Sequence, residues 1–257
     1  MDLQLAGKVA IITGASRGIG RAIASNLSAE GMSLVLAARS ENLLEQLAAS
    51  LPTECLVQAL DLRAPVAPAA LIASAAARFG RIDLLVNNAG ATKRGDFLAL
   101  TDDDWTDGFA LKFYSAMRCS RAAWPMLASS QGSIVNIIGI GGRTASAEFS
   151  IGGSVNAALL NLTKSLADRG SQSKIRVNAI NPGAILTDRL RTRIFNFATS
   201  HGMDESTAAQ ELAKVMGITR FGDPAEIARA VAFLASPQSA YIQGAILDID
   251  GGQTRSL

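Results

Sequence analysis

A glycine-rich turn near the start of the chain has the residue types and spacing that phosphate binding requires. Three glycines recur as G-x-x-x-G-x-G over residues 14–20, directly after the apolar run 9–12. Glycines let the backbone approach a phosphate closely, and a helix that begins there offers unpaired N–H groups and a positive dipole end. We therefore expect a dinucleotide site with the binding residues Gly14, Ser16, Arg17, Gly18, Ile19 and Gly20.

The end of the second apolar run indicates which dinucleotide is bound. Sites for NAD(H) usually carry an acid about 20 residues after the glycines, which bonds the ribose 2′-hydroxyl. Here the run ends in Arg39, and the first carboxylate after it is Glu41. Arg39 and Arg17 could together hold a 2′-phosphate through charge-assisted hydrogen bonds. This pattern favours NADP(H) over NAD(H), with two solvated arginines as the alternative.

Short apolar runs alternate with longer amphipathic stretches along the whole chain. The predicted strands cover residues 9–12, 34–36, 55–60, 82–86, 133–138, 175–180 and 246–249. The predicted helices cover residues 18–30, 41–50, 69–79, 102–128, 155–169 and 225–235. Repeated strand–helix–strand units with continuously apolar strands are typical of parallel sheets that are buried on both faces. The predicted fold is therefore α/β, a doubly wound, mostly parallel, seven-stranded Rossmann-like sheet with helices on both faces.

The absence of a Pro-, Gly- or Ser-rich linker predicts a single domain over residues 1–257. The polar segment 184–222 interrupts the alternation after the sixth strand. It contains three arginines and the chain's single histidine: Arg189, Arg191, Arg193 and His201. We interpret it as a lid-like insertion over the carboxyl edge of the sheet, where doubly wound folds bind ligands. An ordinary surface helix pair is the alternative.

Composition excludes several classes of protein. With 49% hydrophobic and 18% charged residues, the chain is not intrinsically disordered. Its 24 basic and 22 acidic residues are dispersed, which argues against a nucleic-acid partner. Cys55 and Cys119 belong to no metal-binding pattern, so we expect neither a bound metal nor a disulfide framework. No apolar run reaches the roughly 18 residues of a membrane span, and the start lacks a signal-peptide pattern, which predicts a cytoplasmic protein without a membrane partner.

The glycine turn and four later segments resemble the short-chain dehydrogenase/reductase family in its compact form. The later segments are residues 87–90, 181–183, 221–228 and 250–252. The resemblance implies an oxidoreductase and a homo-oligomer, a tetramer or dimer, paired through the helices predicted at 102–128 and 155–169. It also implies further cofactor contacts at Asp61, Leu62, Asn88, Ala89, Gly90, Pro182, Gly183, Ile185 and Thr187.

The positions at which this family carries its proton-transfer residues are all altered. Members use a Tyr-x-x-x-Lys pair, a Ser after strand five and an Asn on the preceding helix, because a proton must follow the hydride that a carbonyl gains. The register of residues 157–167 places the Tyr position at Gly152 and the Lys position at Asn156. The Ser position falls on Gly139, and the Asn position falls on Lys112.

Lysine and asparagine have exchanged places among these positions. Lys112 stands where the family has Asn, and Asn156 stands where it has Lys. In family members these two side chains approach each other through a water. We therefore predict that Lys112 occupies the vacated space, bonds Asn156 and reaches the cofactor ribose, which makes both residues catalytic candidates. A coincidental surface lysine is the alternative.

Other proton donors are weaker candidates. The hydroxyls of Ser150 and Ser154 would need a nearby base. Tyr114 is expected to point away from the site, and Tyr241 is expected to pack against the sheet with its neighbour in sequence. His201 has no partner in the sequence and is typical of a surface residue.

The glycines at the altered positions remove side-chain volume beside the expected nicotinamide. Gly139, Gly152 and Gly153 predict either a wider substrate pocket or backbone N–H groups that hold an anion. Two functions remain open on the sequence alone. One is an NADP(H)-dependent oxidoreductase with a non-standard proton relay, and the other is a catalytically silent dinucleotide-binding protein that acts as a sensor or oligomer partner.

Overall fold

Seven parallel strands form one sheet in the computed structural model, which describes residues 1–255. The strands are β1 (Val9–Thr13), β2 (Ser33–Ala38), β3 (Cys55–Ala59), β4 (Leu84–Asn87), β5 (Ser133–Ile137), β6 (Arg176–Pro182) and β7 (Ile246–Ile249). Their order is β3-β2-β1-β4-β5-β6-β7. The order reverses between β1 and β4, which opens a crevice at the carboxyl ends of these two strands. The predicted fold class is confirmed.

Nine α-helices accompany the sheet in the described part of the chain. They are α1 (Gly18–Ala29), α2 (Glu41–Ala49), α3 (Ala67–Phe79), α4 (Asp102–Gly108), α5 (Ser115–Ser130), α6 (Ser150–Ser173), α7 (Asp188–His201), α8 (Glu205–Val215) and α9 (Pro224–Ala235). Helices α1, α2 and α9 cover one face of the sheet, and α3, α5 and α6 cover the other. None of the helices within residues 1–255 has both the length and the apolar character to cross a membrane.

The strands are apolar throughout because both faces of the sheet are covered. In β1, Ala10 and Ile12 belong to the core beneath α1 and α9, whereas Ile11 belongs to the core beneath α3 and α5. Successive side chains of a strand point to opposite faces, so each residue enters one core or the other. This burial explains why the strands appear as uninterrupted apolar runs in the sequence.

Two helix predictions differ from the structure near the site. Helix α6 begins at Ser150 rather than at residue 155, because Ile151 continues the buried stripe that Val155 and Leu159 define at a spacing of four residues. The helix predicted over 102–128 is not uniform. Between α4 and α5 lies a π-helical segment, Phe109–Tyr114, and such segments are frequent at functional sites.

The segment 184–222 contains α7 and α8, which pack on an apolar cluster of their own. A short parallel bridge between Ile185 and Gly222 closes the segment at its base. Helix α7 directly follows β6, so the helix pair stands beyond the carboxyl edge of the sheet. The role of this segment as a lid over the crevice stays a prediction.

Thr13 joins the end of β1 to the loop that follows β4. Its side chain is buried, and its hydroxyl donates to the Val86 carbonyl at 3.2 Å. The same oxygen accepts from the backbone N–H groups of Asn88 at 2.9 Å and Ala89 at 3.0 Å. The Asn88 amide donates to the carbonyls of Thr13 and Gly14 at 2.9 and 3.1 Å. These bonds fix the two loops that border the crevice.

We expect Thr13→Val to lower the free energy of unfolding by about 1–3 kcal/mol, because the half-buried N–H groups of Asn88 and Ala89 lose their acceptor at nearly constant side-chain volume. Thr13→Ser is the matched control; it keeps the hydroxyl and loses one methyl group, worth about 1 kcal/mol. Urea unfolding of the three proteins measures both effects. Equal losses in the two variants would show that the hydroxyl does not hold these loops together.

Candidate active site

The glycine turn has the shape of a phosphate cradle. Gly14 and Gly18 have positive φ angles of 67° and 53°. A Cβ on Gly20 would lie 2.2 Å from the Gly14 carbonyl oxygen, so only glycine fits there. Within residues 1–255, no side chain caps the start of α1, and no acid lies in its first turn. Its first N–H groups are therefore available to a phosphate, and the turn fits a dinucleotide.

The predicted adenine-side residues lie at the ends of β1, β2 and β3. Arg17 and Arg39 are both exposed. Asp61 accepts a hydrogen bond from the backbone N–H of Arg63 at 3.0 Å, and the Arg63 guanidinium also pairs with Asp107 of α4. Leu62 is buried in the core, as is common for a residue that supports a site from behind. This edge therefore presents two arginines beside an ion-paired carboxylate.

The nicotinamide-side residues meet the glycine turn across the crevice. Pro182 ends β6 and is buried, and Gly183 follows it with its N–H bonded to the last residue of β7. Thr187 directly precedes α7, and its methyl group lies 3.1 Å from the position that a Cβ on Gly18 would occupy. Ile185 is buried between these two segments. The structure thus brings the predicted residues from both halves of the sheet to one edge.

Lys112 reaches into the space between the ends of β4 and β5. Its Nζ donates to Asn156 Oδ1 at 2.6 Å and to the carbonyl of Ile138. The Asn156 amide nitrogen faces the Gly139 carbonyl at 3.4 Å, and its side chain is almost fully buried. The predicted contact between Lys112 and Asn156 is therefore confirmed, as a direct hydrogen bond. The reach to the ribose and the catalytic roles of both residues stay predictions.

Because Gly90 has no side chain, it leaves room for the side chain of Lys112. A Cβ on Gly90 would lie 2.9 Å from Lys112 Cδ, so the backbone of the β4 loop packs against the aliphatic part of the lysine side chain. Lys112 itself belongs to the π-helical segment Phe109–Tyr114.

The environment of the Lys112 ammonium disfavours its charged form. Burial and the positive charge of Arg189 lower the pKa of Lys112 to about 7. No carboxylate forms an ion pair with Lys112 anywhere in residues 1–255. An ammonium has three N–H donors, and Asn156 and Ile138 accept two of them.

The wider pocket predicted at Gly152 is wrong, because Phe149 fills that space. A Cβ on Gly152 would lie 2.1 Å from the Phe149 ring, and one on Gly141 would lie 2.6 Å from it. The predicted free N–H at Gly139 is also wrong, since this group donates to Asn181 Oδ1 at 3.3 Å. An open groove is lined by Phe149 together with Gly153.

Neither tyrosine reaches the site. Tyr114 is 42% exposed, and its ring lies beneath the Arg118 guanidinium, as expected for a side chain on the far side of the helix. Tyr241 was expected to pack against the sheet, and this prediction is wrong because its side chain is fully exposed. Its neighbour Ile242 makes the contact with the core instead. The turn before β7 can bury only one of the two adjacent side chains.

The remaining candidate donors have no catalytic partner. His201 is exposed at the end of α7, where its ring stacks on Phe197 and bonds the Phe197 carbonyl at 2.9 Å. Ser154 is exposed on α6. The hydroxyl of Ser150 is buried and has no hydrogen-bond partner within residues 1–255.

Arg94 is a site residue that the sequence did not indicate. Its guanidinium carbon lies 4.2 Å from the centroid of the Phe149 ring, which places a cation beside the altered Tyr position. Burial and then the nearby charge of Arg193 lower the pKa of Arg94. The loop after β4 carries no motif around residue 94, so a pattern along the chain could not reveal this convergence.

Comparison with known proteins establishes the family. A family described as enoyl-(acyl carrier protein) reductase matches residues 14–254. The chain belongs to the short-chain dehydrogenase/reductase family. Two similar members are the 3-oxoacyl-[acyl-carrier-protein] reductase FabG of Vibrio cholerae, 36% identical over 97% of this chain and 98% of that protein, and the oxidoreductase UcpA of Escherichia coli K12, 37% identical over 98% and 96%.

A solved structure of another short-chain dehydrogenase/reductase is closely similar. The L-sorbose reductase from Gluconobacter frateurii, in complex with NADPH and L-sorbose, superposes with a TM-score of 0.96 at 33% identity. The match covers 100% of both chains. The likeness therefore includes the segment 184–222 as well as the sheet.

The lowered pKa of Lys112 predicts a specific pH dependence of stability. The unfolded chain binds the lysine proton up to about pH 10, whereas the folded protein releases it near pH 7. The contribution of this group to the free energy of unfolding therefore rises with pH across that window. We expect the free energy of unfolding of Lys112→Met to exceed that of the wild type by the largest amount at or below about pH 7. This difference should shrink as the pH rises toward about 10.

Urea unfolding at a series of pH values measures the difference between the two proteins. Asn156→Asp is the control, because a carboxylate at 2.6 Å would favour the ammonium and flatten the pH dependence. A difference between wild type and Lys112→Met that does not change with pH would contradict the lowered pKa.

Proposed function

We propose that this protein is an NADP(H)-dependent oxidoreductase that interconverts a carbonyl group and an alcohol, with Lys112 as the proton donor and acceptor. The observation that supports this most is the 2.6 Å hydrogen bond between Lys112 Nζ and Asn156 Oδ1, at the edge of the sheet that carries the phosphate cradle. Family membership supports the general reaction class.

The choice of NADP(H) rests on the adenine end of the crevice. Arg17 and Arg39 are exposed beside the glycine turn, and guanidinium groups bind phosphate bidentately. The similar L-sorbose reductase was solved with NADPH. The turn from Gly14 to Gly20 would hold the pyrophosphate, and Thr187 would contact the nicotinamide side. When bound, the cofactor supplies the hydride.

Lys112 has the properties of a general acid at neutral pH. A donor is most effective when its pKa lies near the working pH, and that of Lys112 is lowered to about 7. Asn156 and the Ile138 carbonyl orient the ammonium, so its third N–H can protonate a carbonyl oxygen as the hydride arrives. The neutral amine that remains is the form that burial favours. In the oxidative direction the same amine would accept the alcohol proton.

We expect Lys112→Met to bind NADPH with nearly wild-type affinity and to reduce carbonyl compounds at least 100-fold more slowly, the usual contribution of a general acid. The measurements are NADPH fluorescence for binding and NADPH oxidation with a panel of ketones, including L-sorbose and a 3-oxoacyl thioester. Wild-type reduction should also slow as the pH rises through about 7. Lys93→Met is the control, since Lys93 is a nearby lysine that pairs with Asp104 at the surface.

Two results would contradict this assignment. Unchanged turnover in Lys112→Met would exclude Lys112 as the donor. Tight NADPH binding by the wild type without oxidation of NADPH by any compound of the panel would instead favour the catalytically silent, dinucleotide-binding alternative.

We expect Arg39→Ala to weaken NADPH binding about tenfold and to change NADH binding less than twofold, because only NADPH carries the 2′-phosphate. Fluorescence titration with each dinucleotide gives both dissociation constants. Arg21→Ala is the matched control, since Arg21 is an exposed arginine within α1. Equal weakening for the two dinucleotides would place Arg39 away from the 2′-position.

We also propose that the protein acts in the cytoplasm as a homo-oligomer, a dimer or tetramer that pairs through α4, α5 and α6. This proposal rests on the family resemblance. Size-exclusion chromatography with light scattering tests it, and a monomer at micromolar concentration would contradict it.

A further inference from the structure

We propose that Asp248 is a positioning residue for Lys112, and that the charge of its carboxylate acts on the lysine ammonium through two consecutive amide groups. The first amide is the side chain of Asn181, and the second is the peptide group that joins Ile138 to Gly139. The inference rests on the proposed function, because it concerns the group to which that function assigns the proton transfer.

Asn181 and Asp248 lie directly opposite each other on adjacent strands. They are partners in the register of β6 and β7. The Asn181 amide nitrogen donates to Asp248 Oδ1 at 2.8 Å. Asn181 is fully buried, whereas 22% of the Asp248 side chain is exposed at the edge strand of the sheet. The carboxylate of Asp248 therefore holds a buried amide in one orientation.

The other end of the Asn181 amide contacts the peptide group between Ile138 and Gly139. The N–H of this peptide belongs to Gly139 and donates to Asn181 Oδ1 at 3.3 Å. Its carbonyl belongs to Ile138 and accepts a hydrogen bond from Lys112 Nζ. The N–H and C=O of a trans peptide point in opposite directions within one plane. A single planar group therefore lies between the buried asparagine and the ammonium.

The backbone around Gly139 also reaches the lysine through Asn156. The Gly139 carbonyl accepts from Asn156 Nδ2 at 3.4 Å, and Asn156 Oδ1 accepts from Lys112 Nζ at 2.6 Å. Both oxygens that bind the ammonium therefore belong to this backbone or contact it. Asn181, which holds the N–H of Gly139, contributes to the position of both.

Hydrogen bonds that follow one another through amide groups polarise each other. A carboxylate that accepts from the Asn181 amide makes Asn181 Oδ1 a stronger acceptor. The stronger acceptor polarises the next peptide group, so more negative charge accumulates on the Ile138 oxygen. The charge of Asp248 therefore favours the ammonium form of Lys112, although the two residues form no ion pair.

Two arginines act on the ends of this series of hydrogen bonds. Arg143 Nη1 donates to Asp248 Oδ2 at 2.8 Å and partly neutralises the carboxylate. At the other end, burial and then the charge of Arg189 on α7 lower the pKa of Lys112 to about 7. Loss of the Asp248 charge and loss of the Arg143 charge should therefore shift the protonation of Lys112 in opposite directions.

Carbon-13 NMR of protein labelled at the lysine Cε atoms tests the proposal, with the Lys112 signal assigned by its loss in Lys112→Met. Asp248→Asn keeps a side-chain oxygen for Asn181 and removes the charge. We expect this variant to lower the pH midpoint of the Lys112 titration by about 0.5 pH unit or more. Arg143→Met should raise the same midpoint, because it leaves the carboxylate without its cation.

Asp250→Asn is the matched control. This carboxylate lies two residues further along and bonds the N–H groups of Gly252 and Thr254 in its own turn, so its loss should leave the midpoint unchanged. Asn181→Leu tests the link itself, since it removes the amide at similar volume. In that background Asp248→Asn should no longer shift the midpoint. Urea unfolding shows whether each variant is folded.

Four outcomes would overturn the proposal. The midpoint is unchanged in Asp248→Asn, it fails to rise in Arg143→Met, it shifts equally in Asp250→Asn, or the effect of Asp248→Asn persists without the Asn181 amide. The last two would show that the charge acts directly through space.

A failure of the proposed function is distinguishable, because it appears as absent NADPH binding or absent turnover, and the NMR titration depends on neither. In an active enzyme, the pH above which carbonyl reduction slows should move with the Lys112 midpoint in each variant. A pH profile that stays fixed while the midpoint moves would leave Asp248 as a neighbour of Lys112 without a role in the reaction, and would contradict its assignment as a positioning residue.

Discussion

The buried ammonium of Lys112 is the constraint on which the rest of the site depends. A cation that leaves water must find oxygen ligands or release its proton. Asn156 and the Ile138 carbonyl supply two such oxygens, and no carboxylate among residues 1–255 pairs with the group. The result is a lysine poised between its charged and neutral forms.

Several features around this lysine are mutually consistent. Gly90 makes room for the lysine stem, and the π-helical segment directs it across the β4 loop. Phe149 fills the space beside Gly152.

The sequence by itself determined the fold class and the architecture of the cofactor crevice. Both depend on local patterns: continuous apolar strands, amphipathic helices and a glycine turn placed between a strand and a helix. The register of α6 was also fixed locally, which was enough to identify Asn156 and Gly152 as altered positions. The exchange with Lys112 followed from the same counting, and the structure confirmed the contact. The predicted start of helix α6 was wrong by five residues, because its buried stripe continues to Ile151, before the predicted start at residue 155.

Only the tertiary structure decided what surrounds the lysine. The position of the Phe149 ring, its contact with the Arg94 guanidinium and the π-helical turn depend on segments that are far apart in the chain. Tyr241 is a second example of what the sequence could not predict. Tyr241 and Ile242 are adjacent, and only the tertiary structure shows that Ile242 packs on the core while Tyr241 is exposed. Periodicity reports which face of an element is buried. It does not report which distant side chain contacts that face, and the chemistry of this site depends on such contacts.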